Sequence, residues 1–190
     1  MSVTQAIQRR ARWADFAVVV LVAVALVGGW ILREAVLARA TPFTAGDVSG
    51  RYPAGWTKET GDDPLLRVRD PRGGETGAML ELRARALAAE ANPALVLDAL
   101  ALERAAQTTA YQTLRTEQVT VGGRAATSRT FTYVSVNRNP YLERLPVVMK
   151  GVDLVLESDG RAVIVTFVDR ADDFDASYRY FLAFAESLEF

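Results

Sequence analysis

Four aspartates crowd one short stretch, Asp169, Asp172, Asp173 and Asp175, and carboxylates gathered this closely raise the chemistry of calcium. Hard cations want several carboxylate oxygens at once. The spacing departs from an EF-hand loop, however, and acids are favoured at the positive N-terminal end of a helix, so no metal ligand is assigned. Asp62-Asp63 reads as a solvated turn. The remaining candidates for catalysis are serines, acids and two lysines. They form no G-x-S-x-G elbow, no Ser-x-x-Lys pair and no Gly-rich phosphate loop after a strand. The chain has neither cysteine nor histidine. That excludes disulfides, thiolate nucleophiles, iron–sulfur clusters and attached c-type haem. It also excludes an imidazole base and the usual zinc, copper or haem ligands. The expectation is a protein without catalytic residues, cofactor or metal, and not an enzyme.

Binding is the chemistry that remains. Asn137-Arg138-Asn139-Pro140-Tyr141-Leu142-Glu143-Arg144-Leu145-Pro146 mixes Arg, Tyr and Leu, the residue types that interfaces favour. Loops of this length in compact domains are often functional. Arg138, Tyr141, Leu142 and Arg144 are therefore candidate partner contacts. Gly28 and Gly29 are a second candidate, because small residues let membrane helices approach closely. The bland readings are an ordinary connection whose Tyr and Leu cover a sheet edge, and glycines that are simply common in such helices. From Thr41 onward there are 17 basic against 21 acidic residues, a net of −4, which makes nucleic acid a poor partner. Arginine outnumbers lysine twenty to two. That bias suits bidentate pairing but also follows from a GC-rich genome.

The elements that position these residues begin with an anchor. Residues 16–32, FAVVVLVAVALVGGWIL, are seventeen in a row without a charge. At helical rise they span roughly 25 Å, and the margins extend them toward the ~30 Å hydrocarbon core. Trp13 and Trp30 bracket the run, as interfacial aromatics do. Arg9, Arg10 and Arg12 precede it, so the positive-inside rule places the N-terminus in the cytoplasm and the rest outside it. The expected organisation is a cytoplasmic segment 1–13, a transmembrane helix 14–32, a short helical tether 33–42 ended by Thr41-Pro42, and an extracytoplasmic domain 43–190. The expected location is the plasma membrane, as a single-pass protein whose residues 14–32 meet the lipid bilayer. A cleavable signal peptide is the competing reading, with Ala38-Arg39-Ala40 as the cleavage site. The run is longer than the usual h-region of about 7–15 residues, and lies well upstream of that site. A twin-arginine signal is disfavoured, since apolar residues do not follow Arg9-Arg10 closely.

The remainder reads as one domain of about 150 residues, enough for a core. Val48–Tyr52 is a short strand closed by the Pro53-Ala54-Gly55 turn, with Trp56 in the core. Leu65–Arg69 alternates, Pro71–Gly74 is a loop, and Met79–Ala86 alternates again. In the latter Leu80, Leu82 and Ala84 lie on one side, with Glu81, Arg83 and Arg85 on the other. Asn92-Pro93 is an N-cap and first-turn proline opening a helix to about Ala110. Leu95, Ala99, Leu102 and Ala106 fall at helical spacing on one face of it. Thr113–Val121 and Arg124–Val136 flank a Gly122-Gly123 hairpin turn, and Val147–Glu157 and Arg161–Val168 form a second hairpin. The last strand is apolar on both sides, hence central, with helices over both faces. Asp172–Leu188 is a closing helix with Phe174, Tyr178, Phe181, Ala185 and Leu188 as its apolar stripe. The predicted class is α+β: an α/β/α sandwich of one mainly antiparallel sheet between helices, preceded by a single transmembrane helix.

Three stretches carry a resemblance: Tyr52-Pro53-Ala54-Gly55-Trp56, Val119-Thr120-Val121-Gly122-Gly123-Arg124-Ala125-Ala126, and the ending Phe174…Phe184…Ser187-Leu188-Glu189-Phe190. Over about residues 43–190 the chain resembles the PsbP-like domain, a family that includes the extrinsic PsbP subunit of photosystem II and the DcrB lipoproteins. The resemblance implies an α/β/α sandwich and a largely non-enzymatic, extracytoplasmic protein that stabilises or helps assemble membrane complexes. Typical members are soluble or lipid-anchored, whereas this chain is expected to keep a transmembrane helix. Metal-binding histidines proposed in some relatives have no counterpart here. The functional expectation is an accessory subunit of an integral-membrane complex of electron transport or photosynthesis, with integral-membrane subunits as partners. The alternative is a free-standing envelope protein that binds a small ligand or lipid.

Overall fold

The computed structural model describes residues 20–30, 39–59, 64–87, 92–136, 145–158 and 160–190. The chain divides into two compact units, Met1–Arg39 and Ala40–Phe190. In the first, residues 20–30 are helical (α1). Among the described residues no helix is long and apolar enough to cross a membrane; parts of the expected span 14–32 and of the tether 33–42 lie outside them.

The second unit begins earlier than expected. Ala40–Ala45 is a strand, β1, paired antiparallel with β2, Val48–Pro53. Residues 40–42 are thus strand and not helical tether. The physical reason is Phe43, whose ring stacks on Phe184 at 5.7 Å and holds the hairpin against the domain. The remaining strands form one seven-stranded sheet: β3 Thr57–Glu59, β4 Leu66–Arg69, β5 Met79–Ala86, β6 Thr109–Val121, β7 Arg124–Ser135, β8 Val147–Ser158 and β9 Arg161–Arg170. Their order is β3-β4-β5-β9-β8-β7-β6, and every pairing is antiparallel. Pro71–Gly74, expected as a loop, falls within a 3-10 turn, Pro71–Thr76, whose first amide is capped by the Asp70 side chain.

β9 lies fourth of seven and residues 162–169 are all buried, as its two-sided apolar pattern requires. Val163, Val165 and Phe167 face one layer, made by α3 (Phe174–Glu186) and the β1–β2 hairpin. Ala162 and Ile164 face the other, made by α2 (Pro93–Gln107). Gly122 and Gly123, with φ of 56° and 78°, give the β6–β7 turn the left-handed pair that a two-residue hairpin needs.

α2 ends earlier than expected, and a face other than the Leu95–Ala106 one turns inward. It begins as predicted, with the Asn92 side chain accepting from Ala94 N and Pro93 in the first turn. It stops at Gln107, where Thr108 donates from N and Oγ1 to Arg104 O, both at 2.8 Å, and Ala110 then takes a φ of 52° inside a bulge of β6. Its buried residues are Leu97 and Leu100, not the Leu95–Ala106 stripe, which is exposed. Both faces of the helix are apolar, so periodicity alone could not choose between them. The choice falls to Arg104, which must share the sheet-facing side with Leu97 and Leu100 to reach its partner.

Candidate functional site

The α2 side of the sheet carries a cluster of paired charges. On β5, Glu81, Arg83 and Arg85 project there because Leu80 and Leu82 fill the opposite layer. On β8 and β9 the same alternation presents Asp153 and Thr166. Asp153 is 1% exposed, and a buried carboxylate demands a partner. Arg104 of α2 supplies it as a fork, Nη2 to Asp153 Oδ1 at 2.8 Å and Nη1 to Oδ2. Thr166 Oγ1 donates to the same Oδ1 at 2.7 Å and accepts from Arg104 Nη2 at 3.1 Å. Burial opposes the charge on Arg104, yet the Asp153 carboxylate holds the guanidinium above its ordinary range.

Around this pair the charges are mutually satisfied. Glu81, also buried, accepts from Arg67 Nε at 2.8 Å and pairs with Arg83. Glu103 reaches Arg83 at 3.8 Å and Arg85 at 3.3 Å. Asp98 of α2 pairs with Arg129 Nη2 at 2.7 Å, and Arg129 Nε donates to Thr116 Oγ1. Where α2 ends, an aromatic ledge continues. The Arg104 guanidinium sits 4.3 Å from the Phe131 ring centre, and Tyr111 and Tyr133 flank that ring at 5.6 and 6.3 Å. Burial raises the pKa of the Tyr133 hydroxyl, and the Tyr111 hydroxyl is buried with no hydrogen-bond partner among the described residues.

Between the helix end and this ledge lies a cleft of about 150 Å³, lined by Glu81, Arg83, Arg104, Thr108, Tyr133 and Thr166 among others. It is small beside the ~300–1,000 Å³ of ordinary ligand pockets. Glu81, Glu103 and Asp153 are each paired with a guanidinium, an arrangement that fixes the geometry of the cleft wall. On the opposite layer Ser177 Oγ donates to Asp169, whose pKa burial raises. The same hydroxyl lies near the Asp173 and Phe174 carbonyls, as at a helix start. Among the described residues no group of acids could hold a metal ion.

Of the residues singled out from sequence, Gly28 and Gly29 lie on α1, and a Cβ at either would meet nothing within 4 Å. Arg138, Tyr141, Leu142 and Arg144 lie outside the described residues. The residues flanking that segment do carry information. Leu145 is 87% exposed, and Val136 and Val148 stand beside it half exposed at one end of the β7–β8 pair. A second apolar surface, the helix face that spacing picked out in the sequence, is the outer side of α2. There Leu95 and Leu102 are 59% and 74% exposed, with Ala99 and Ala106 exposed between and beyond them. The signal that could have found it was the helix's excess of apolar residues over what one face needs.

No family profile matches the chain, and no curated protein does. Solved structures do. The cyanobacterial PsbP (CyanoP) of Synechocystis matches with a TM-score of 0.58 at 14% identity, over 80% of this chain and 92% of that one. The Ran-binding protein Mog1p of Saccharomyces cerevisiae matches with a TM-score of 0.54 at 11% identity, over 80% and 95%. LpqN of Mycobacterium tuberculosis, a protein involved in cell envelope biogenesis, matches with a TM-score of 0.51 at 15% identity, over 79% and 89%. The fold is PsbP-like, and at these identities the likeness is one of fold.

Proposed function

We propose that this chain is a non-catalytic accessory subunit that stabilises or helps assemble a larger integral-membrane complex of electron transport or photosynthesis. The observation that carries the reading is the exposed apolar group Val136, Leu145 and Val148, which brackets the Arg- and Tyr-bearing segment 137–144. Exposed apolar surface of this kind marks interaction sites, and Tyr and Arg are the residues that anchor them. Residues 14–32 would span the membrane, with the domain on its extracytoplasmic side. A short tether then gives the domain a high effective concentration over membrane neighbours. CyanoP and LpqN, which share the fold, are respectively a PsbP and a protein of cell envelope biogenesis, and an accessory role is compatible with both.

The second reading, a free-standing envelope protein that binds a small ligand or lipid, draws on the 150 Å³ cleft. Its limited volume and internally paired charges make it the weaker of the two. The test is mass spectrometry of the full chain isolated from membranes in mild detergent, beside a Leu145→Glu, Val148→Glu variant. Stoichiometric recovery with multi-pass membrane proteins, lost in the variant, is expected. A chain that runs alone would refute the subunit reading.

A further inference from the structure

We infer that the outer face of α2 pairs with the same face of a second copy of this chain, forming an antiparallel helix pair about a two-fold axis. Leu95, Ala99, Leu102 and Ala106 are spaced by four, three and four residues, the a/d spacing of a helix–helix seam. Along an α-helix they lie within about 60° of one another and run roughly 16 Å. All four are exposed, while Leu97 and Leu100 on the reverse side are buried. The order of side chains is what selects a second copy. Place a two-fold midway between Leu100 and Ala101, and Leu95 of each copy opposes Ala106 of the other, while Ala99 opposes Leu102. Each large side chain thus meets a small one, the condition for close interdigitation. An isologous interface requires a surface complementary to itself, and this sequence satisfies it at every seam position.

The charges at the margins agree. One flank of the seam carries Arg85 with Glu103 at 3.3 Å, and the other carries Asp98 with Arg129 at 2.7 Å. Each flank is an ion pair, so the rotation brings no unbalanced charge against its own image, and Arg85 can exchange its acid for the Glu103 of the other copy. The area is modest. One helix face per copy buries on the order of 700 Å² in total, under the ~1,200 Å² of a standard stable interface. The pairing is therefore a weak one, formed at high local concentration, and it is independent of which complex the domain serves.

The chain contains no cysteine, so single cysteines report the geometry cleanly. With axes ~8 Å apart and Ala99 offset from its own image by three residues, the two Cα atoms lie about 5–6 Å apart, within disulfide range. Leu102 has the same offset. Ala105, exposed on the same helix, is nine residues from its image, about 13 Å along the axis. In cells expressing the full chain, mild oxidation should convert Ala99→Cys and Leu102→Cys to disulfide dimers, roughly fivefold more than Ala105→Cys, whose spacing exceeds a disulfide's reach. Adding Leu102→Glu to Ala99→Cys should abolish the dimer while leaving the circular dichroism unchanged. Monomer at both seam positions, equal yields at all three sites, or cross-linking to a different protein would each overturn the inference.

Discussion

Gly151 lies on β8 directly opposite Phe131 of β7, and replacing it with alanine is the sharpest perturbation this fold offers. A Cβ built there would stand 2.6 Å from Phe131 Cε2 and 3.0 Å from Cε1, and nearer still to Cζ. Carbon atoms pack at about 3.5–4.0 Å, so the ring must move by roughly an ångström or the strands must part. The ring has nowhere to go. Phe131 is fully buried, capped by the Arg104 guanidinium at 4.3 Å and flanked by two tyrosines. Overpacking of this kind costs about 1–3 kcal/mol, against a gain of about 0.5–1 kcal/mol from replacing a strand glycine. The middle of these ranges is a net loss of about 1–2 kcal/mol, and at about 2–4 °C per kcal/mol for a domain of this size the midpoint should fall by about 2–8 °C. Thermal unfolding followed by circular dichroism reads it, with the near-ultraviolet band reporting the aromatic ledge. In a cycle with Phe131→Leu, the Gly151→Ala penalty should shrink by at least 0.5 kcal/mol, the lower end of coupling between touching residues. A Gly151→Ala chain as stable as its parent, or additive effects in the double variant, would refute the argument that the ring occupies the glycine's space.

Three further perturbations follow from the same geometry. Asp153→Ala strands the Arg104 charge and should cost about 3–5 kcal/mol by urea denaturation, whereas Arg104→Met with Asp153→Leu should recover most of that loss; equal losses in both would show that the pair is not the buried unit described. Leu100→Ala should cost about 2–5 kcal/mol, while Leu102→Glu should stay within about 0.5 kcal/mol; the reverse ranking would turn α2 back to the face expected from sequence. Burial raises the Asp169 pKa above its ordinary 3.8, so the folded chain holds that proton to higher pH than the unfolded one. Its stability contribution is full below 3.8 and is lost as pH climbs through the raised value. Asp169→Asn should flatten that decline in a melting series, and an unchanged slope would remove Asp169 as its cause.

Several elements were legible because one local rule sufficed. Asn92-Pro93 marked a helix start, Gly122-Gly123 a tight turn, and the Met79–Ala86 alternation assigned each of its side chains to the correct face. The two-sided apolar run of β9 announced a central strand and with it a layer on either side. Other features escaped for definite reasons. Phe43 gives little local sign of a strand, and β1 exists because that ring stacks on Phe184, far along the chain. The helix ended at Gln107 because Thr108 capped the Arg104 carbonyl, a bond that competes with helix continuation.

The amino-acid sequence by itself determined the chemistry available to this protein. With no cysteine or histidine, thiolate and imidazole chemistry are absent, and the sequence also determined the order of elements that builds an antiparallel sheet with a layer on either side. Only the tertiary structure decided which apolar face of α2 turned inward. Leu97 and Leu100 against Leu95 and Leu102 are equivalent by hydropathy, and the tie is broken by Arg104. Its charge can be buried only beside Asp153, a residue 49 positions away that strand pairing brings beneath the helix. Once that ion pair closes, the Leu95–Ala106 stripe faces outward, and the surface available to partners is set by an interaction that no local pattern encodes.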